Sequence, residues 1–145
     1  MGRRIASPLT GFALLAVAAA VPATALAESH ELVTRVDGAR VQMQIPADAR
    51  IGSTSQMAIR VIPEPGVQTP RQVRTRLGMP HHGHWISDEA ATTDVAEPVV
   101  HTSELPMGGV YRLRVWLDYP DGRTVRTGAD FKVDDSRTHA PTPAP

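Results

Sequence analysis

Cysteine is absent from the 145-residue sequence, which excludes disulfides, zinc–thiolate sites, thiol nucleophiles and a lipid-anchored cysteine. Lysine is nearly absent too: 14 of the 15 cationic residues are Arg, and Lys132 is the exception. Alongside the Ala and Pro content, this reads as compositional bias rather than a functional Arg patch. Phe, Tyr and Trp occur twice each, too few for the stacking platform that binds single-stranded nucleic acid. Fifteen acidic residues balance the fifteen basic ones, so net charge gives no pull toward nucleic acid or an anionic membrane surface. Enzyme signatures are missing as well. There is no Gly-x-Ser-x-Gly elbow, phosphate-binding Gly loop or His-Glu-x-x-His helix. The Asp88-Glu89 pair reads as a solvated turn, not as the separated acids of a glycosidase. The chain is read as non-enzymatic.

Acidic residues are also missing from the first 27 positions, where Arg3 and Arg4 precede the apolar run from Phe12 to Val21. Pro22 ends that run, and Ala25-Leu26-Ala27 supplies the small-x-small pattern of a signal-peptidase site. The run is short for a span of about 20 residues, so residues 1–27 read as a cleaved signal peptide rather than a membrane anchor. No later stretch is long and apolar enough to span. The expected location is periplasmic or secreted. Beyond Ala27 remain 13 basic and 15 acidic residues. That is one small domain, able to bury roughly two-thirds of its unfolded surface.

Period-two alternation dominates the chain beyond Ala27. Val41, Met43 and Ile45 alternate with polar neighbours, as do Met57, Ile59 and Val61, and Val73, Thr75 and Leu77. The longest such run is Tyr111, Leu113, Val115, Leu117 and Tyr119. Successive strand side chains point to opposite faces, so this spacing predicts strands. Asp37-Gly38 and Pro120-Asp121-Gly122 supply hairpin turns. The expectation is an all-β, antiparallel immunoglobulin-like β-sandwich of about seven strands, over 32–36, 40–45, 56–62, 72–77, 95–100, 110–119 and 123–133. Ser87 suits the cap of a short turn over 87–91. The domain is placed at 28–133. From 134 to 145 the polar, Pro-rich tail has no apolar face and is expected to be disordered or extended.

Met79-Pro80-His81-His82-Gly83-His84-Trp85 is the densest concentration of chemistry. Three imidazoles and a thioether fall within six residues of a loop marked by Gly78, Pro80 and Gly83. Imidazole suits copper, zinc or nickel, and a soft thioether shifts the preference toward copper ahead of zinc. Met79, His81, His82 and His84 are therefore candidate metal ligands. His101 and Met107 flank the connection into the Tyr111 strand and join them if loops gather at one end of the sandwich. The rival reading is an apolar contact patch of Met79, Trp85 and Met107 with a His rim. His30 is a weaker candidate.

The Met-Pro-His-His-Gly-His run, followed by Met107-Gly108-Gly109-Val110-Tyr111-Arg112-Leu113-Arg114-Val115, resembles the YtkA-like and FixH-like domains. Those carry Met-Pro-x-x-Gly-His and then Met-Pro-Gly-x-Trp-x-Leu-x-Val before a closing hairpin. The resemblance covers roughly residues 56–133. It implies an extracytoplasmic immunoglobulin-like sandwich and, through FixH relatives, cation handling and copper-oxidase assembly. Trp85 stands where relatives often have Met, Gly108 replaces Pro, and Tyr111 replaces Trp. The first change removes a thioether and leaves a His-dominated set. The expected function is metal carriage, buffering or delivery in the cell envelope, with an envelope protein as metal acceptor or oxidase-assembly partner. The alternative is a metal-free module that binds an envelope partner through its 79–85 loop.

Overall fold

A computed structural model describes residues 28–134 and 137–145. The leader proposed for 1–27 lies outside the described residues. The strands are β1 (Ser29–Val36), β2 (Ala39–Pro46), β3 (Thr54–Pro63), β4 (Gln72–Met79), β5 (His84–Trp85), β6 (Ala90–Thr92), β7 (Val99–Glu104), β8 (Gly109–Asp118), β9 (Thr124–Asp134), β10 (Arg137–Thr138) and β11 (Thr142–Pro143). Among the described residues no helix forms, and none is long and apolar enough to cross a membrane.

The strands form an all-β antiparallel sandwich. One sheet runs β1-β2-β3-β7, and the other runs β10-β9-β8-β4-β5, with β6 also on β4 and β11 also on β9. The chain crosses between sheets after β3, after β6 and after β7. The alternating residues build the core: Val41, Met43, Ile45, Met57 and Ile59 from one sheet meet Leu77, Tyr111, Leu113, Val115 and Leu117 from the other. Fully burying such an aliphatic side chain stabilises the fold by about 1.5–3 kcal/mol. Asp37 (φ 49°) and Gly38 (φ 73°) both take positive φ, the condition for a two-residue turn whose twist matches its strands.

Two expectations require correction. The strand expected at 95–100 lies at Val99–Glu104. Pro98 has no N–H to give a ladder, and the Glu97 N–H turns back to the Asp94 carbonyl at 3.2 Å. The inward positions of β7 are Val99, His101 and Ser103, so two of three core slots carry polar residues that hide the alternation. No turn is capped by Ser87; its hydroxyl accepts the Leu77 N–H at 2.9 Å, and 90–92 becomes a short strand instead.

The tail, expected to be disordered or extended, is extended in its described residues. Residues 137–145 lie along β9, held by backbone: Thr138 N–H donates to the Ala47 carbonyl (3.1 Å), His139 N–H to Lys132 (2.8 Å) and Ala144 N–H to Gly128 (3.0 Å). His30 Nε2 also donates to the Thr138 carbonyl at 2.7 Å. Composition reports the missing apolar face. It does not report the open edge of β9 that these backbone groups pair with.

Candidate functional site

The β4–β5 hairpin carries the histidine cluster. Met79 and His84 are directly paired, and Pro80 to Gly83 close the turn. The Met79 carbonyl accepts both the His82 N–H (3.0 Å) and the Gly83 N–H (3.1 Å), and Gly83 takes the left-handed φ of 65° that completes the turn. His81, His82 and His84 are all exposed. The His82 and His84 rings stand 5.9 Å apart, centroid to centroid. That separation fits two imidazoles sharing one ion through bonds of about 2.0 Å. His84 Nδ1 lies 3.1 Å from the His82 carbonyl and donates to it, which leaves Nε2 as the nitrogen with a free lone pair. Backbone carbonyls commonly orient metal-binding imidazoles in this way.

The other candidates divide. Met79 shares its register position with His84, so both side chains leave the same side of the sheet. Met79 is nonetheless buried, and its methyl lies against Gly109. Met107 is exposed on the loop two residues before Gly109, with its backbone held by the Tyr111 hydroxyl. Both thioethers thus lie toward the hairpin end of the sandwich. His101 does not join them. It sits on β7, 1 % exposed, opposite Met57 on β3. Among the described residues, no three His, Asp or Glu side chains gather into a group that would enclose an ion.

His101 instead ties the two sheets together. Its Nδ1 is 3.0 Å from the Thr75 hydroxyl on β4, and its Nε2 is 2.9 Å from the Ser87 hydroxyl. Ser87 Oγ donates to the Asp88 carbonyl at 3.0 Å, so the pattern assigns the His101 proton to Nε2 and the Thr75 proton to the Nδ1 contact. Every polar atom of the network then has a partner, as burial demands. Burial holds the His101 imidazolium pKa below its ordinary value, favouring the neutral ring. A hydroxyl–imidazole–hydroxyl chain has the connectivity of a nucleophile, base and orienter. Here, however, Ser87 Oγ already accepts the Leu77 N–H, and its partner His101 is sealed in the core. Thr75 and Ser87 carried no signal in sequence, because they stand 26 and 14 residues from the imidazole they hold.

Trp85 packs against Gly78, where an added Cβ would come within 2.9 Å of the indole. The Trp116 ring stands 5.8 Å away, and the Arg76 guanidinium lies 5.0 Å over the Trp85 centroid. Glu89 ion-pairs with Arg74 at 3.2 Å, so it is committed to the sheet rather than to the histidine turn. A groove of about 330 Å³ beside Arg60, Ile62, Thr69 and Val95 offers one charged side chain and no acid–base pair. No protein-family model, curated protein or solved structure matches this chain.

Proposed function

We propose that this chain is an exported, non-enzymatic metal-binding protein that carries a transition metal, copper ahead of zinc, and passes it to an envelope partner. The observation that carries the reading is the His82–His84 pair, with rings 5.9 Å apart and the His84 Nδ1–H engaged by the His82 carbonyl. Two imidazoles on an exposed turn leave coordination positions open for His81, for a thioether or for an acceptor's ligand. A carrier needs that openness, because a closed four-ligand site holds its ion. Absence of Cys leaves His and Met to supply the softer donors. The leader pattern at 1–27 supports export. The resemblance to YtkA-like and FixH-like domains supports the immunoglobulin-like subtype and the copper-oxidase-assembly setting. So does the Tyr111 hydroxyl, bonded to backbone four residues upstream at the start of β8, as in the tyrosine corner of such sandwiches.

Titration with Cu(I) and Cu(II) against competing chelators tests the reading. The expected result is stoichiometric binding that falls at least tenfold in a His82→Ala/His84→Ala variant. Equal, weak binding by wild type and variant would leave the metal-free module, docking through the 79–85 loop, as the better account.

A further inference from the structure

The outer face of the larger sheet assembles five arginines and both tryptophans from four strands, β4, β5, β8 and β9. Register sets Arg74, Trp116 and Arg126 in one row across β4, β8 and β9, and Arg76, Arg114 and Gly128 in the next. In the third row Gly78, with Trp85 lying over it, is followed by Arg112 and Asp130. Two of these arginines are neutralised within the sheet. Arg74 holds Asp118 through two contacts of 2.6 and 3.1 Å, and Arg112 holds Asp130 through 2.7 and 2.8 Å. Arg76, Arg114 and Arg126 have no Asp or Glu partner among the described residues, and Arg114 Nη1 donates to the Pro145 backbone oxygen.

Arg76 and Arg114 occupy directly opposite positions on adjacent strands. Like charges so placed destabilise a sheet, and a bound anion would offset that. Burial, together with Arg126 and Arg112, holds the Arg114 pKa below its ordinary value. The arginines are also held in place: Arg76 lies over Trp85, Arg74 over Trp116 at 5.3 Å, and Arg76 Nε donates to the Ser87 carbonyl at 3.0 Å. Guanidiniums fixed in this way lose less side-chain entropy when a ligand binds.

We propose that this face docks an extended acidic polypeptide segment, whose carboxylates are taken by Arg76, Arg114 and Arg126. Charge complementarity calls for an anion, and guanidinium matches carboxylate with paired hydrogen bonds. Polypeptide is favoured because polypeptide already reaches this face. The stretch that pairs with β9 brings the Pro145 carbonyl to 2.9 Å from Arg114 Nη1. Nucleic acid is disfavoured because Trp85, although 43 % exposed, packs against Gly78 and under Arg76, and Trp116 lies under Arg74, so no row of open rings is presented to stacked bases. Asp118 and Asp130, set among the arginines, break up the continuous positive field that an anionic membrane would select. No histidine takes part, so the proposal does not rest on the metal reading.

Trp85 and Trp116 are the only tryptophans in the chain, so tryptophan emission, excited apart from the tyrosines, reports on this face. The full chain is titrated at low salt, in the presence of EDTA, with an oligoglutamate peptide, with oligothymidylate and with phosphatidylglycerol vesicles. The expected result is a saturable fluorescence change with oligoglutamate that weakens at least tenfold in Arg76→Gln/Arg114→Gln and again at high salt. An Arg35→Gln/Arg50→Gln control, away from this face, is expected to bind like wild type. Arg126→Gln, at an exposed position, is expected to show a smaller loss in the same direction and serves if the double variant does not fold. Absence of saturable oligoglutamate binding overturns the proposal, as does equal binding by the two double variants. Tighter binding of oligothymidylate or of the vesicles overturns it in favour of those occupants.

Discussion

His101 and the His82–His84 pair are separated by little sequence and by a complete change of environment. His101 faces inward from β7, with a hydroxyl on each ring nitrogen. His82 and His84 stand in solvent on a hairpin end, and His84 keeps one nitrogen open. The same side chain therefore serves as a sheet-to-sheet tie in one place and as an available ligand in the other. What separates the roles is whether neighbouring hydroxyls use up the imidazole's hydrogen-bonding capacity before a metal can.

The sharpest way to break this contrast is at the tie. His101→Ala removes a packed ring and orphans the buried Thr75 hydroxyl, so a loss of about 3 kcal/mol is expected in urea unfolding. Copper affinity of the folded variant should match wild type; a parallel loss of copper would mean that the two histidine environments are one site. Acid probes the same tie without mutation. Burial lowers the His101 pKa in the folded state below the 6.5 of the free side chain, so the unfolded state takes up the proton more readily. Stability from the neutral ring should be complete above about pH 6.5 and should decline as pH falls through the lower folded value. Thermal unfolding across pH 4–8 tracks this, and the slope should flatten in the His101→Ala variant.

A smaller effect is expected at Gly78, where a Cβ would stand 2.9 Å from the Trp85 ring and 3.0 Å from the His84 carbonyl. Gly78→Ala should cost about 1–2 kcal/mol as the hairpin shifts, with a change in tryptophan emission before any ligand is added. Least disturbed of all should be the exposed pair: His82→Ala/His84→Ala should stay within about 0.5 kcal/mol of wild type while losing copper. A large destabilisation there would show the histidine turn to be structural after all.

Much of the scaffold was legible because strands announce themselves locally. Val41, Met43 and Ile45, or Leu113, Val115 and Leu117, alternate with polar neighbours because one sheet face is buried, and Asp37-Gly38 marks its turn through positive φ. The reading failed at β7, where His101 and Ser103 occupy inward positions through partners remote in sequence. The pairing partners of the extended tail carried no signal, because backbone rather than apolar surface makes those contacts. Of the histidine site, a loop was readable from Gly78, Pro80 and Gly83, but its closure as a hairpin by β5 was not. The withdrawal of Met79 and His101 into the core was not, since burial depends on what the opposite sheet supplies.

The arginines show the same division. In the sequence they look like composition, scattered at even positions of Gln72–Met79, Gly109–Asp118 and Thr124–Asp134. Only pairing of β4, β8 and β9 sets Arg76 against Arg114 and lays Trp85 and Trp116 beneath guanidiniums. The sequence by itself determined which residues alternate, where the chain turns, and that His and Met must supply any softer metal ligands in a chain without Cys. Tertiary structure decided which imidazole is sealed, which is open and which charges meet. The reason is physical: periodicity is a property of a single strand, whereas burial, hydrogen-bond saturation and charge opposition exist only between strands.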